Sequence, residues 1–459
     1  MFPISNHGGL DAPFASHQGV PISRRRFLQD VQRFASTLPA QGTPINLCVD
    51  RYAFAVSWVA AMQRGQTSLM PPNPLPETLR RLQATHPLVY GVCDAQGLGQ
   101  WESVSDFLPL HRCEAPAAGD LRSETAVDAL DPALVSVCLL TSGSTDVPQP
   151  HVRSWGMLAE GGQVAAQRIA AEMGQANVEG LHLLATVPPQ HSYGLESSVL
   201  LSLVAGAVLV SERPFFPADI VEGLQRLPRP RALVTTPLHL KNLLRSDLAL
   251  PPVDLVLCAT APLSLALTQE AERLLGPLIE IYGCTEAGQI AMRRTLHGQR
   301  WATLGGLQIV RHADAETDAS TFEVHGGHLP QARALTDALR LVDERHFYLL
   351  GRANDLINVA GKRHSLSHLN MQLNRIDGVD DGCFWLPEER ADAVVRTVAF
   401  VVAPSLTADD ILACLRQRIE SAFLPRRVVH VAALPREATG KLTASALREF
   451  ALKTLQDCP

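Results

Sequence analysis

The strongest constraint on how this chain folds is an alternation of strand-sized apolar runs with helix-length amphipathic ones. Ile45 to Val49 reads as a strand, and Tyr52 to Met62 as a helix ending near Gly65. Ser68-Leu69-Met70 enters a proline-rich turn, a helix covers Pro76 to Ala84, and Leu88 to Cys93 is the next strand. The rhythm resumes in the apolar run Ala133 to Leu140. It continues in Leu181 to Val187, Ala207 to Val210, Ala232 to Thr235, Leu255 to Ala259 and Leu278 to Ile281. Parallel neighbours need a long crossover, usually a helix, so the pattern predicts an α/β fold: mostly parallel sheets with flanking helices. Residues 94 to 132 lack the pattern and read as loop-rich. Ser23 is placed to cap a first helix with Phe27, Val31, Phe34 and Leu38 at helical spacing, and Pro39 stops it.

A chain of 459 residues exceeds one ordinary core and fits two or three domains. Beyond Arg352 the texture becomes more charged. Strands are expected near Val395 to Val402 and Val428 to Val431, with a helix over about Ala408 to Phe423. The boundary falls at Gly351 to Asn354. It divides a large N-terminal unit, 1–351, from a small mobile α+β unit, 352–459, with a hinge near Asn354. The formal net charge of −6 argues against nucleic acid as a partner. The longest apolar stretch, Val199 to Val210, is 12 residues and includes Ser202 and Gly206, too short to span a bilayer. Met1 to Val20 has no cationic start followed by an apolar core. Nine scattered cysteines form no CxxC pair, so a reduced, cytoplasmic protein without stable membrane insertion is expected.

Three segments carry chemistry. Thr141-Ser142-Gly143-Ser144-Thr145 follows a buried strand. Its hydroxyls and amides can converge on a phosphate, and Gly143 permits close backbone approach. Leu278 to Ile281 delivers Tyr282-Gly283-Cys284-Thr285-Glu286 to the carboxyl edge of the sheet, where ligands bind in open α/β folds. Tyr282 offers a flat face to an adenine ring, Thr285 a donor to an α-phosphate, and Glu286 a magnesium ligand. Cys284 reads as a small pocket-wall residue. Asp337 and Arg352 are candidates for ribose contacts, although taken alone such a pair more commonly forms a surface salt bridge. Gly440-Lys441 near the C-terminus supplies a lysine from a separate segment.

In their order, these motifs resemble the adenylate-forming superfamily of acyl- and aryl-CoA ligases, peptide-synthetase adenylation domains and luciferases. The resemblance includes Pro148, Pro188-Pro189-Gln190-His191-Ser192-Tyr193-Gly194 and Ala259-Thr260-Ala261-Pro262-Leu263-Ser264. It extends to Gly351-Arg352 with Asp355-Leu356-Ile357, Leu434-Pro435-Arg436 and Thr439-Gly440-Lys441. It implies ATP and Mg2+ as cofactors. Thr141 to Thr145 would hold the β- and γ-phosphates, Glu286 the magnesium, and Asp337 with Arg352 the ribose. Lys441 would bridge carboxylate, ribose and phosphate during adenylation, with His191 and Thr285 at the reacting groups. Ala259, Thr260, Ala261, Tyr282 and Gly283 would line the nucleotide. His191, Ser192, Tyr193, Ala259 and Cys284 would form a small acid pocket.

The chain departs from the family pattern at Asp146, where glycine is common, and at Gln149, where lysine is common; Arg153 is a nearby cation that could compensate. His191 stands near where amino-acid-activating relatives have a carboxylate, which disfavours an amino acid. Val359 to Leu366 and Gly378 to Gly382 look most like the short ligases of aryl-polyene and xanthomonadin-type pigment clusters. That implies a 3- or 4-hydroxybenzoate-like acid loaded onto a phosphopantetheinyl acyl carrier protein, with Arg363, Arg426 and Arg427 as candidate docking cations. A ligase using CoA as acceptor and a non-catalytic adenylate-binding protein are the alternatives.

Overall fold

The computed structural model describes residues 2–4, 8–71, 75–100, 102–116, 129–141, 149–313, 320–352, 356–359, 362–387, 397–437 and 442–456. Two large sheets dominate. One has six strands, in the order Gln149–Ser154, Val135–Thr141, Ser68–Met70, Thr43–Asn46, Val89–Cys93 and Leu110–Arg112. All its pairs are parallel except the first, an antiparallel hairpin. The other has eleven. Its parallel run is Leu278–Cys284, Leu255–Cys258, Arg231–Thr235, His182–Ala185, Val208–Val210 and Pro13–His17. Beyond Leu278–Cys284 an antiparallel extension runs through Gly288–Arg293, Trp301–Thr303, His346–Arg352 and Asp337–Asp343. That extension was not read from sequence, because its strands mix polar with apolar residues and lack the crossover helices that mark the rest.

The helix Arg51–Gln63 explains how the sheets stack. Residues Arg51 to Met62 are all buried, so it has no polar face to give to water. It contacts strands of both sheets and lies between them. Trp58 Nε1 donates to the Ser136 carbonyl at 3.2 Å, and its ring meets Trp155 edge-on at 6.3 Å. Arg51 is fully buried and donates to the carbonyls of Ala185 and Val187 at 2.8 and 2.9 Å and to Ser198 Oγ at 3.1 Å. Burial, with Arg213 nearby, pushes its pKa down to about 9.

Local signals behave as their chemistry requires. Ser23 Oγ accepts from Arg26 N and caps the helix Arg24–Thr37. The apolar run around Val199 divides at Gly206, which ends a helix with φ +74 before the strand Val208–Val210. The expected helix over Ala408 to Phe423 is shorter, Ala408–Arg416 followed by a tight turn Ser421–Phe423. Ile419 and Phe423 still reach the core, so the apolar spacing outlasts the helix.

The C-terminal segment has its own three-stranded sheet, Asp381–Trp385, Val398–Val402 and Arg427–His430. It also has its own cores, one around Leu373, Phe384 and Ile411 and another around Phe400 and Leu434. It touches the large part at the helix Pro237–Leu244. Lys241 Nζ donates to the carbonyls of Val379 and Asp380 at 3.0 and 2.6 Å, and Arg245 pairs with Asp380.

Candidate active site

The Tyr282 to Glu286 segment is a strand end that turns back on itself. Gly283 lies where a Cβ would sit 2.1 Å from the Gly288 carbonyl oxygen, so only glycine lets the hairpin close. Gly288 has φ +82, and a Cβ there would meet Arg153 Nη1 and Glu196 Oε2 at 2.8 Å each. Thr285 is half-buried and Glu286 exposed at the tip.

Tyr282 is 7% exposed, packed against Trp301 and Phe347 with ring centroids 5.8 and 5.4 Å away. The ring is therefore mostly core, and only a small part of it can face an adenine. Its hydroxyl donates to Asp337 Oδ2 at 2.8 Å. Asp337 is paired across its ladder with Arg352, so the antiparallel extension brings together two residues far apart in sequence and joins them to the turn.

Ala259 to Ala261 follow the neighbouring parallel strand at the same sheet edge. Thr260 is exposed with φ +85, a left-handed backbone that a β-branched residue rarely adopts and that marks functional turns. Two strands further, after His182–Ala185, His191 precedes a short helical turn, Ser192–Gly194, that runs into a π-helical segment, Leu195–Leu200. Wide turns of this kind cluster at functional sites. A Cβ on Gly194 would fall 2.0 Å from the Pro188 carbonyl oxygen, which keeps this bend glycine-specific.

The Tyr193 hydroxyl bonds to the carbonyls of Thr235 and Leu257 at 3.0 and 2.9 Å, and burial raises its pKa well above the usual phenol range. It is therefore committed to holding strand ends and is not a free polar tip in a pocket, as the sequence suggested. Ser192 Oγ donates to Glu196 Oε1 at 2.5 Å. Burial, with Glu286 beside it, pushes the Cys284 thiol up to about 12, consistent with a pocket wall and not a nucleophile.

The Ser/Thr loop is reached through its stem. Thr141 and Gln149 are register partners, and Ser142, Gly143, Ser144, Thr145, Asp146 and Pro148 lie outside the described residues. Gln149 is exposed. On the strand Gln149–Ser154, His151 Nε2 lies 3.7 Å from Glu286 Oε1, and Arg153 Nη2 donates to the Thr285 carbonyl. Burial lowers the His151 pKa, with Glu286 opposing. The expectation that Arg153 offers its charge in place of a lysine at 149 is corrected: Arg153 is 2% exposed, beneath the turn. The stem of one motif therefore meets the turn of the other, although they belong to different sheets.

At the C-terminus, Arg436 makes a two-pronged contact with Asp381 at 2.6 and 2.7 Å. Ala438 to Lys441, like Asn354, lie outside the described residues, as does the side chain of Arg352.

A family model described as "AMP-binding enzyme" matches residues 8–316 of this chain. The chain belongs to the AMP-binding enzyme family. Over 314 residues it is 28% identical to a 4-coumarate–CoA ligase of Halorhodospira halophila, covering 66% of this chain and 73% of that protein. It is 21% identical over 315 residues to a 3,4-dihydroxybenzoate–[aryl-carrier protein] ligase of Bacillus anthracis, covering 68% and 73%. The ATP-bound crystal structure of MatB from Rhodopseudomonas palustris superposes with a TM-score of 0.77 at 19% identity, over 96% of this chain and 97% of that one. As an AMP-binding enzyme, the chain is an AMP-forming acid–thiol ligase acting on an acyl or aryl acid. The non-catalytic alternative is thereby set aside. No helix among the described residues is long and apolar enough to cross a membrane.

Four residues of this edge were not read as partners of the turn: His151, Arg153, Glu196 and Gln289. The first two were legible in principle, since Gln149, His151 and Arg153 alternate along one strand and so share a face. Glu196, between Leu195 and two serines, gave no signal.

Proposed function

We propose that this ligase activates a small aromatic, hydroxybenzoate-like acid with ATP and passes it to the phosphopantetheine thiol of an acyl carrier protein. The carrying observation is the meeting of the Ser/Thr-loop stem with the Thr285-Glu286 turn, through His151 and Arg153. The His191-Ser192-Tyr193 segment lies along the same sheet edge.

In the first half-reaction a carboxylate oxygen attacks the α-phosphorus. A C–O–P anhydride forms, and the bond to pyrophosphate breaks with its electron pair leaving on pyrophosphate. Two anions must approach, so preorganised donors and cations at the phosphates matter most. Ser142 to Thr145 would hold the β- and γ-phosphates, Thr285 would donate to the α-phosphate, and Lys441 would approach from the C-terminal segment. Asp337, oriented by the Tyr282 hydroxyl, would accept from ribose hydroxyls beside Arg352. An exposed carboxylate at Glu286 suits magnesium, which takes one or two carboxylates and keeps phosphate or water oxygens. Magnesium, when bound, would supply charge neutralisation at the phosphates. In the second half-reaction the thiol sulfur attacks the acyl carbon, AMP leaves with the anhydride oxygen, and the thiol proton passes to solvent.

Pyrophosphate release across a panel of benzoates, cinnamates and fatty acids tests the acid. Hydroxybenzoates should give the highest kcat/KM, and a fatty-acid preference would overturn that assignment. Product mass with CoA and with a phosphopantetheinyl carrier tests the acceptor. The second reading, CoA as acceptor, is favoured by the 4-coumarate–CoA ligase relative, and the carrier reading by the dihydroxybenzoate one.

A further inference from the structure

The turn between Thr285 and Gln289 is held from inside by side chains that no nucleotide motif contains. Arg153 Nη2 donates to the Thr285 carbonyl. On the far side of Gly288, Glu196 Oε2 accepts from Gln289 N at 2.9 Å, and Gln289 Nε2 donates to Ser197 Oγ at 2.9 Å. Glu196 also accepts from Ser192 Oγ, so the same carboxylate touches the turn and the acid-pocket segment. Arg153, Glu196 and Gln289 are 2, 7 and 7% exposed. Among the described residues, Arg153 Nε finds no hydrogen-bond partner.

This arrangement is expensive. Desolvating a guanidinium is repaid only by good geometry and full hydrogen bonding, and an apolar residue of similar volume commonly gives equal or better stability. Arg153 leaves one donor unsatisfied, so stability is a poor account of it. Its contact explains it better: the Thr285 carbonyl belongs to the peptide that leads directly into Glu286. A donor fixed there sets the direction of both the Thr285 hydroxyl and the Glu286 carboxylate. A side chain at Gly288 would collide with both Arg153 Nη1 and Glu196 Oε2, so the glycine lets both charged groups close on the turn.

We propose that Arg153 is a positioning residue for adenylation, acting through the Thr285 carbonyl, and that Glu196 links the same turn to Ser192 in the acid pocket. This rests on the functional reading above, in which Thr285 and Glu286 serve the phosphates. Arg153 touches no reacting atom. Its charge is buried, so it acts by orienting the turn rather than by replacing a lysine at Gln149.

The test compares wild type with Arg153→Met, Arg153→Lys and Glu196→Gln, measuring acid-dependent pyrophosphate release, the KM for each substrate, and Mg·ATP binding by calorimetry. Arg153→Met should lower kcat at least ~30-fold and raise the KM for Mg·ATP several-fold, with the KM for the acid little changed. Arg153→Lys should recover part of the kcat. Glu196→Gln should raise the KM for the acid more than that for ATP. A folded Arg153→Met with wild-type kcat and Mg·ATP KM overturns the proposal, as does an equal change in every constant. If Arg153→Met fails to fold, the split between kcat and acid KM in Arg153→Lys decides in the same way. If wild type itself releases no pyrophosphate with any acid, the functional reading fails. Calorimetry then still decides the inference, since unweakened Mg·ATP binding by Arg153→Met contradicts it.

Discussion

The Thr285-Glu286 turn and the C-terminal segment that leads to Lys441 are held in opposite ways. The turn is tied from inside, by Arg153 and Glu196, by the glycines at 283 and 288, and by the Tyr282 hydroxyl on Asp337. The C-terminal segment folds around its own cores and meets the large part through the half-buried Lys241 and through one exposed pair, Arg245 with Asp380. Lys241 and Arg245 contact the Val379-Asp380 loop, and Arg436 is fastened to Asp381 next door. Buried polar contacts fix one geometry and are costly to break, whereas exposed ion pairs contribute little and exchange readily. We propose from this contrast that one half of the site is preorganised and that the segment leading to Lys441 is held more lightly.

The largest expected effect breaks the movable half. Lys441→Ala should cost about 3–4 kcal/mol in the adenylation barrier, several hundred-fold in pyrophosphate release, with an unchanged melting temperature. An unchanged rate would remove Lys441 from the mechanism. Next, Tyr282→Phe removes the 2.8 Å bond to Asp337 from the fixed half. About 1 kcal/mol is at stake, read as a roughly fivefold rise in the KM for ATP. A rise in the acid KM instead would mean that Asp337 does not serve the ribose.

Asp380→Ala should free the C-terminal segment at a stability cost of ~0–1 kcal/mol, because the Arg245 pair is exposed. Faster limited proteolysis between 353 and 361 would register it, and an unaltered digestion rate would show that the contact holds nothing.

The smallest effect is a pH response. Burial, with Arg245 close by, pushes the Lys241 pKa down to about 8 from 10.5. The docked form thus binds fewer protons than the undocked form between those values, so docking strengthens as pH rises through that window and is flat below it. Proteolysis at pH 7.5 and 9.5 should show the slower cleavage at the higher pH after correction for protease activity, and Lys241→Met should abolish the difference.

The parallel part of the fold was legible because a βα alternation leaves a periodic apolar signature. The antiparallel extension was not, although it pairs Asp337 with Arg352, because its strands are half polar and no crossover helices separate them. In the site, the residues of the turn itself were legible from their chemistry. Tyr193 misled because a tyrosine reads alike whether its hydroxyl points into a pocket or caps two strand ends. Arg153 misled because a cation near a phosphate loop suggests direct contact, whereas burial gives this one to a backbone carbonyl. Glu196, a lone carboxylate beside two serines, became meaningful only once the π-helical turn set it against Gln289.

The account depends most on two sheets building one nucleotide site. A crystal soaked with ATP, magnesium and a hydroxybenzoate tests it directly. The account predicts AMP or the acyl-adenylate between the Ser142 to Thr145 loop and Glu286, with the ribose on Asp337. Nucleotide density anywhere else on the molecule, with that cleft empty, would contradict it.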